Sequence, residues 1–164
     1  MTASPSPAWR RDLGLGAVAV AAVAATLLCG QLATSPNSAW YSGLTKPSFG
    51  PPSWLFAPVW TTLYVLMAFA LWRILRLPPS PLRRTALLLF FIQLGLNAAW
   101  PWMFFAAQNP FLGLVNIVPQ FLFILATIAA FARLDRYAMA ALVPLAAWVG
   151  FASVLNAAFW WLNP

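Results

Sequence analysis

Five long apolar segments dominate this chain of 164 residues and limit its possible folds more than any other feature. They cover about residues 13–33, 54–75, 82–105, 111–131 and 138–162. A helix needs roughly 20 mostly apolar residues to cross a bilayer, and only helices and closed barrels satisfy their backbone hydrogen bonds there. Because the segments are continuous rather than alternating, we predict an all-α membrane protein. Its five transmembrane helices form one bundle, and residues 1–164 form a single domain.

The composition excludes a soluble domain and assigns the positive charge to membrane topology. The chain is 63% hydrophobic and 7% charged, whereas soluble domains carry roughly 25% charged residues. We therefore attribute the net charge of +7 to the membrane rather than to nucleic acid. Positively charged loops face the cytoplasm, which predicts a cytoplasmic N-terminus. The first segment is longer than the apolar region of a signal peptide, so we expect it to be retained as a helix. Only Lys46 lies on the opposite side from Arg10, Arg11, Arg73, Arg76, Arg83, Arg84, Arg133 and Arg136.

The residue types of conventional catalysis are scarce in this sequence. It contains no histidine, two acidic residues (Asp12 and Asp135) and one cysteine, Cys29. Histidine is the commonest general base and metal ligand, and a single cysteine cannot form an intrachain disulfide. We therefore expect no metal site, no required cofactor and no ordinary acid–base or nucleophilic catalytic cluster. We interpret Cys29 as a small buried hydrophobic residue.

A long connection of about residues 34–53 separates the first two segments, and it is rich in proline and aromatic residues. Prolines fix the backbone and prevent helix formation in the residues before them. We predict a shaped lid over one end of the bundle, and the alternative is an aromatic belt at the membrane interface. The predicted lid residues are Trp40, Lys46, Pro47, Phe49, Pro51, Pro52 and Trp54.

Three stretches resemble one known family. They are WYSGLTKPSFGPPSWLFAPVWTTLY (residues 40–64), QLGLNAAWPWMFF (93–105) and LVPLAAWVGFASVLNAAFWWLN (142–163). Together they resemble the tryptophan-rich sensory protein and translocator protein (TspO/MBR) family, also called peripheral-type benzodiazepine receptors. The resemblance implies five membrane helices, a homodimer, and a ligand pocket under the loop between the first two helices. It also implies porphyrin binding and, in animal members, binding of drugs and cholesterol.

Some positions depart from the family's pattern. The end of the fifth segment has Ala158 and Trp161 where the animal cholesterol motif has tyrosine and a basic residue. The fourth segment begins with Leu112 where animal members have a drug-contacting tryptophan. We therefore expect no cholesterol recognition through that motif and altered affinity for animal-type drugs.

The pocket that the resemblance implies would be walled by aromatic residues from three segments. Large flat side chains suit a flat aromatic ligand, and ten tryptophans are available. The alternative for each position is plain packing in the bundle core. The predicted pocket residues are Phe56, Trp60, Tyr64, Asn97, Trp100, Trp148, Ala152 and Leu155.

Amide side chains at membrane depth provide the polar groups. We predict that Asn97 is the only well-placed amide of the pocket because it shares a helix face with Trp100. The other amides at this depth are predicted to form hydrogen bonds between helices. They are Gln93, Asn116, Gln120 and Asn156.

Three functions are compatible with these features. The leading prediction is a sensory or regulatory membrane receptor that binds porphyrins and similar flat hydrophobic molecules. The second is an enzyme that degrades protoporphyrin in light, for which Trp60 and Trp148 are the candidate oxidisable residues. The third is a porphyrin transporter, although no internal repeat of the kind often seen in transporters is visible.

Overall fold

Five long helices form the body of the protein. The computed structural model describes residues 8–163, except the side chains of Ala8 and Pro36. The predicted domain of residues 1–164 therefore includes termini that lie outside the described residues. The long helices are α1 (Ala8–Thr34), α3 (Ser53–Arg76), α4 (Pro81–Pro101), α5 (Pro110–Ala132) and α6 (Arg136–Leu162). Each is long and apolar enough to cross a membrane, which confirms the predicted helical bundle.

Local sequence explains where three of these helices begin. Ser80 and Asn109 precede prolines at the first positions of α4 and α5, and each side chain accepts a hydrogen bond from a backbone N–H in the first turn. Asp135 does the same for α6, where its carboxylate accepts from two backbone N–H groups. Such caps satisfy donors that the helix leaves unpaired, and proline is tolerated at the first helical position.

The connection between α1 and α3 is more ordered than predicted. A 3₁₀ turn (Ser35–Asn37) and a short helix, α2 (Ser38–Gly43), occupy its first half. Only residues 44–52 are irregular, where prolines prevent a helix as expected. The prediction of one long loop is therefore wrong for residues 35–43. An isolated helix this short is unstable in water, so tertiary packing must hold it.

The helices form a closed ring in the order α1, α3, α6, α5, α4 and back to α1. Although α3 and α4 are consecutive in the chain, they pack mainly against other helices. The half of the bundle that contains the α3–α4 connection has a dense core, where Phe90 stacks on Phe131 with ring centroids 5.9 Å apart. In the other half, the separation of α3 from α4 leaves space between them.

Arginines concentrate at the densely packed end. Arg73 on α3 forms an ion pair with Asp135 at the start of α6, with Nη2 2.6 Å from Oδ2. Arg83 at the start of α4 donates to the carbonyl oxygens of Ile74 and Leu75, at 2.9 Å each. These contacts join the ends of α3, α4 and α6.

Asp135 makes the folding stability pH-dependent. Burial raises the pKa of its carboxyl, but hydrogen bonds from Arg73 and from the N–H groups of Ala138 and Tyr137 outweigh that effect and hold the pKa below its usual value. The carboxylate therefore stabilises the fold at any pH above the usual aspartate pKa of about 3.9. That contribution is lost as the pH falls through the lower pKa of the folded state.

We expect Asp135→Ala to destabilise the protein by about 2 kcal/mol, because it removes a helix cap and leaves Arg73 without its partner. Asp12→Ala is the control, since the ion pair between Asp12 and Arg76 is more exposed and contributes about 1 kcal/mol or less. Thermal unfolding in one detergent measures both losses. Equal losses for the two variants would contradict the assigned role of Asp135.

Candidate ligand-binding cavity

A cavity of about 510 Å³ lies between the helices in the half of the bundle that contains α2. All five long helices and α2 contribute side chains to its walls. The eight residues predicted for the pocket all line it. They are Phe56, Trp60, Tyr64, Asn97, Trp100, Trp148, Ala152 and Leu155.

The first wall comes from α3, where Phe56, Trp60 and Tyr64 follow at one-turn intervals on the same face. The Trp60 and Tyr64 rings lie 5.6 Å apart at 32°. The Tyr64 hydroxyl donates a hydrogen bond to Oδ1 of Asn97 on α4, at 2.9 Å. This bond connects two walls and occupies the Asn97 oxygen. The Nδ2 donor of Asn97 has no partner among the described residues.

The second wall is Trp100, which packing and hydrogen bonding hold in one orientation. Its ring stacks on Phe104 at a centroid distance of 4.9 Å and an angle of 20°. Its indole N–H donates to Oδ1 of Asn156 on α6, at 3.0 Å, and Nδ2 of Asn156 donates to the carbonyl oxygen of Pro110 at 2.7 Å. Asn156 therefore joins α4, α5 and α6, as the predicted hydrogen bonding between helices requires.

A π-helical turn at the end of α4 brings Phe104 under Trp100. The turn spans Trp102–Ala106 and follows directly on Pro101. Proline removes one backbone donor and disturbs the preceding turn, and π-helical turns of this kind are often found at functional sites. Phe104 is 1% exposed and belongs to a second hydrophobic cluster with Leu155 and Phe159.

The third wall is on α6, where Trp148, Ala152 and Leu155 share one face. Trp148 meets Phe56 of α3 edge to face, with ring centroids 5.8 Å apart. Ala152 lies one turn beyond Trp148, and its small side chain leaves the space between the aromatic walls open. The three tryptophans therefore come from three different helices. Their contact with a ligand stays a prediction.

The sequence interpretation missed part of the lining. Gln31, Gln120 and Asn156 also line the cavity, so Asn97 is not its only amide. That Asn97 is the only amide well placed for a ligand stays a prediction. The sequence places Gln120 and Asn156 at membrane depth, but depth alone does not fix the direction of a side chain. The other lining residues that were not predicted include Leu27, Tyr41, Phe105, Ile117 and Phe159.

Two of the remaining amides lack the predicted hydrogen bonds. Neither polar atom of Gln93 has a partner among the described residues, and the same holds for Oδ1 of Asn116. Both side chains are nevertheless buried. The prediction of hydrogen bonding between helices is therefore wrong for Gln93.

Cys29 also differs from the expectation of a buried residue, since its side chain is only half-buried.

The predicted lid residues lie beside the cavity rather than in its lining. Thr45–Phe49 run along the outer face of α6 near Val154 and Trp161. Phe49 meets Phe151 edge to face, and Trp54 is 72% exposed. The parts of the connection that line the cavity are Thr34, Ser38, Tyr41 and Ser53. A lid role for Lys46, Pro47, Pro51 and Pro52 stays a prediction.

Contacts at both ends fix this connection. Trp40 packs edge-on against Phe104, and the side chain of Asn163 makes two hydrogen bonds to the backbone of Thr45, at 2.9 and 3.1 Å. The Lys46 ammonium lies 5.3 Å from the Tyr41 ring centroid. Burial raises the pKa of Tyr41, so its hydroxyl is neutral at physiological pH.

The cavity walls carry no formal charge within residues 8–163. Both acidic side chains pair with arginines at the opposite end of the bundle. In the same part of the chain, no three histidine, cysteine, aspartate or glutamate side chains come together as metal ligands. The site can therefore offer aromatic surface and neutral hydrogen-bonding groups to a ligand.

Known proteins are similar to this chain over most of its length. The model of the TspO/MBR family matches residues 17–162. The chain is 45% identical to the tryptophan-rich protein TspO of Chlorobaculum tepidum over 79% of this chain and 82% of the relative. It is 39% identical to the translocator protein of Sus scrofa over 74% of this chain and 73% of the relative. These matches show that the chain belongs to the TspO/MBR family of integral, multi-pass membrane proteins.

Proposed function

We propose that this protein is a membrane receptor that binds porphyrins and similar flat hydrophobic tetrapyrroles in the cavity, in a sensory or regulatory role. The observation that carries the proposal is the convergence of Trp60, Trp100 and Trp148 from three helices on one uncharged space of about 510 Å³. Ligand cavities typically measure about 300–1,000 Å³ and combine apolar walls with a few polar groups.

The chemistry of the walls suits a flat aromatic ligand. Aromatic rings prefer offset-stacked or edge-to-face contacts, and Trp60 and Trp148 offer indole rings from the neighbouring helices α3 and α6. Asn97 also lines the cavity, and its buried Nδ2 donor has no partner within residues 8–163, so a polar substituent that reached it would gain a hydrogen bond. The hydrogen bonds of Tyr64 and Trp100 keep these walls in place before a ligand arrives, which lowers the ordering cost of binding.

Titrating protoporphyrin into the protein in lipid nanodiscs, in the dark, tests the proposal. We expect saturable quenching of tryptophan fluorescence. Trp148→Ala should weaken binding about tenfold because one aromatic wall is lost. Trp161→Ala is the matched control, since Trp161 lies on the outer face of α6 and is 81% exposed. Quenching that does not saturate, or that is equal in all three proteins, would contradict the receptor.

The same samples distinguish the other two functions. A new porphyrin product that forms only in light, and that is lost in Trp60→Phe and Trp148→Phe, would indicate the light-dependent enzyme. Net movement of protoporphyrin across proteoliposomes would indicate a transporter. Binding without either result supports the receptor.

We expect the N-terminus to be cytoplasmic, because eight of the nine basic residues flank one end of the helices. Single cysteines at Pro79 and Ala107, in a Cys29→Ser background, occupy connections at opposite ends of the bundle. A membrane-impermeant maleimide added to intact cells should label Ala107→Cys and not Pro79→Cys. The reverse pattern would invert the topology.

We also expect a homodimer, as the family resemblance implies. One face of α1 is an exposed stripe of small residues, namely Gly14, Ala17, Ala21 and Ala25. Small residues let membrane helices approach closely. Native mass spectrometry of the protein in detergent should detect a dimer, and Ala21→Trp should shift it towards the monomer. A wild-type protein that is monomeric in both detergent and nanodiscs would refute this expectation.

A further inference from the structure

Within residues 8–163, the exposed part of the cavity lining lies on one side. Five of its lining residues are exposed, and all five lie on α1, α2 or α3: Gln31, Ser38, Ser53, Ala57 and Thr61. The lining residues of α4, α5 and α6 are buried or half-buried. The opening therefore lies between the end of α1 and the beginning of α3.

This opening extends down the side of the bundle. Thr61 lies two turns into α3, about 12 Å from the first residue of the helix at 1.5 Å per residue. Leu27, which also lines the cavity, lies about 10 Å from the last residue of α1 on the same measure. An opening of that depth in a membrane-spanning helix pair faces the lipid as well as the membrane surface.

The other half of the same helix pair is closed. Near the start of α1, the Trp72 indole N–H donates to the carbonyl oxygen of Asp12 at 3.3 Å. Arg76 pairs with Asp12, with Nη2 3.0 Å from Oδ2. A Cβ on Gly16 would lie 3.7 Å from the Trp72 ring. The two helices thus touch at one end, while the cavity separates them at the other.

Aromatic packing covers the end of the bundle above the cavity. Tyr41 of α2 packs against Phe159 with ring centroids 5.5 Å apart, and Trp40 packs against Phe104 at 5.6 Å. Asn163 ties the chain beyond α2 to the end of α6 through two hydrogen bonds to Thr45. A ligand that entered over this end of the bundle would have to separate these contacts, whereas the side opening needs no such rearrangement.

We propose that the opening bounded by Gln31, Ser38, Ser53, Ala57 and Thr61 is a lateral portal through which the ligand passes between the bilayer and the cavity. Its rim carries one amide and three hydroxyl groups, and no charge. The interior is aromatic. The ligand class that fits both the polar rim and the aromatic interior is a planar amphiphile dissolved in the membrane. Its ring system would lie inside the cavity and its polar substituents at the rim. Its identity as a porphyrin rests on the proposed function, but the portal does not.

A cysteine placed inside the cavity tests the route without any assumption about the natural ligand. Ala152→Cys in a Cys29→Ser background supplies one reactive thiol, and pyrenyl maleimide dissolved in phosphatidylcholine nanodiscs supplies a flat aromatic reagent. Adding Thr61→Trp should slow labelling about tenfold because the larger side chain obstructs the portal. Ala57→Trp is a second obstructing variant if the first does not fold.

Thr62→Trp is the matched control. Thr61 and Thr62 are both exposed, and each hydroxyl donates to the carbonyl oxygen one turn earlier, at 2.8 and 2.9 Å. Only Thr61 lines the cavity, so Thr62→Trp should leave the labelling rate within about twofold of its parent. An unlabelled parent, or equal labelling with and without the obstructing tryptophan, would overturn the portal.

The same variants with protoporphyrin separate the portal from the proposed function. If the opening is the route of the ligand, Thr61→Trp should slow the association and the dissociation of protoporphyrin by similar factors and leave its Kd nearly unchanged. If Thr61→Trp slows labelling by pyrenyl maleimide but the protein does not bind protoporphyrin, the portal is supported and the proposed porphyrin-binding function is rejected. A raised Kd with unchanged association would mean that Thr61 contacts bound ligand and that the route lies elsewhere.

Discussion

Replacing Ala152 with leucine should weaken protoporphyrin binding about tenfold or more, which corresponds to a loss of about 1.4 kcal/mol or more. The added atoms would project into the cavity between Trp148 and Leu155, where the ligand would need the space. Overfilling a packed site usually costs about 1–3 kcal/mol. Because the substitution removes no contact from the protein itself, the unfolding temperature should change little.

The neighbouring Ala147 provides the control for that experiment. It lies on the same helix but is exposed and does not line the cavity. Ala147→Leu should therefore leave both affinity and stability unchanged, since lipid accepts a larger apolar side chain. Fluorescence titrations of the two variants in the same nanodiscs measure the difference. If Ala152→Leu binds as tightly as Ala147→Leu, the cavity is not the porphyrin site.

The five membrane helices were predictable because lipid leaves a chain few alternatives. A continuous apolar segment has to satisfy its own backbone, so its length and its flanking residues nearly define the helix. Pro81 and Pro110 mark two of the helix starts, and Asp135 caps a third. No tertiary information was needed for any of them.

The cavity lining was predictable in part, since helical spacing and the family resemblance select one face of each helix. Phe56, Trp60 and Tyr64 follow one another by single turns and do line the same wall. Gln120 and Asn156 were missed because the sequence gives their depth but not the rotation of α5 and α6 against their neighbours. Pairwise packing of helices sets that rotation, and packing is not visible in one sequence.

The connection between α1 and α3 was the least predictable part. Its aromatic residues favoured a lid, and its prolines favoured an irregular chain. Trp40 and Tyr41 lie in α2, which neither pattern predicts, and pack against Phe104 and Phe159. Those partners are distant in sequence, so the helix is stabilised by contacts that no local pattern contains. The irregular residues that follow then pass along α6 rather than across the cavity.

Gly113 of α5 is the position where one added methyl group should disturb both the fold and the cavity. A Cβ there would lie 2.7 Å from Oδ1 of Asn156 and 2.9 Å from Cδ2 of Phe104. Such distances are too short for either neighbour to stay in place. Asn156 is the acceptor that orients Trp100, and Phe104 is the ring on which Trp100 stacks.

Gly113→Ala should therefore destabilise the protein by about 1–3 kcal/mol and weaken protoporphyrin binding through the displaced Trp100. Gly95→Ala in α4 is the control, because a Cβ at Gly95 meets nothing within 4 Å. In a helix interior, alanine is favoured over glycine by about 0.5–1 kcal/mol, so the control should be slightly stabilised. Thermal unfolding and porphyrin titration of both variants measure the contrast. A Gly113→Ala protein as stable as Gly95→Ala would mean that α5 and α6 are not packed closely enough for Asn156 to orient Trp100.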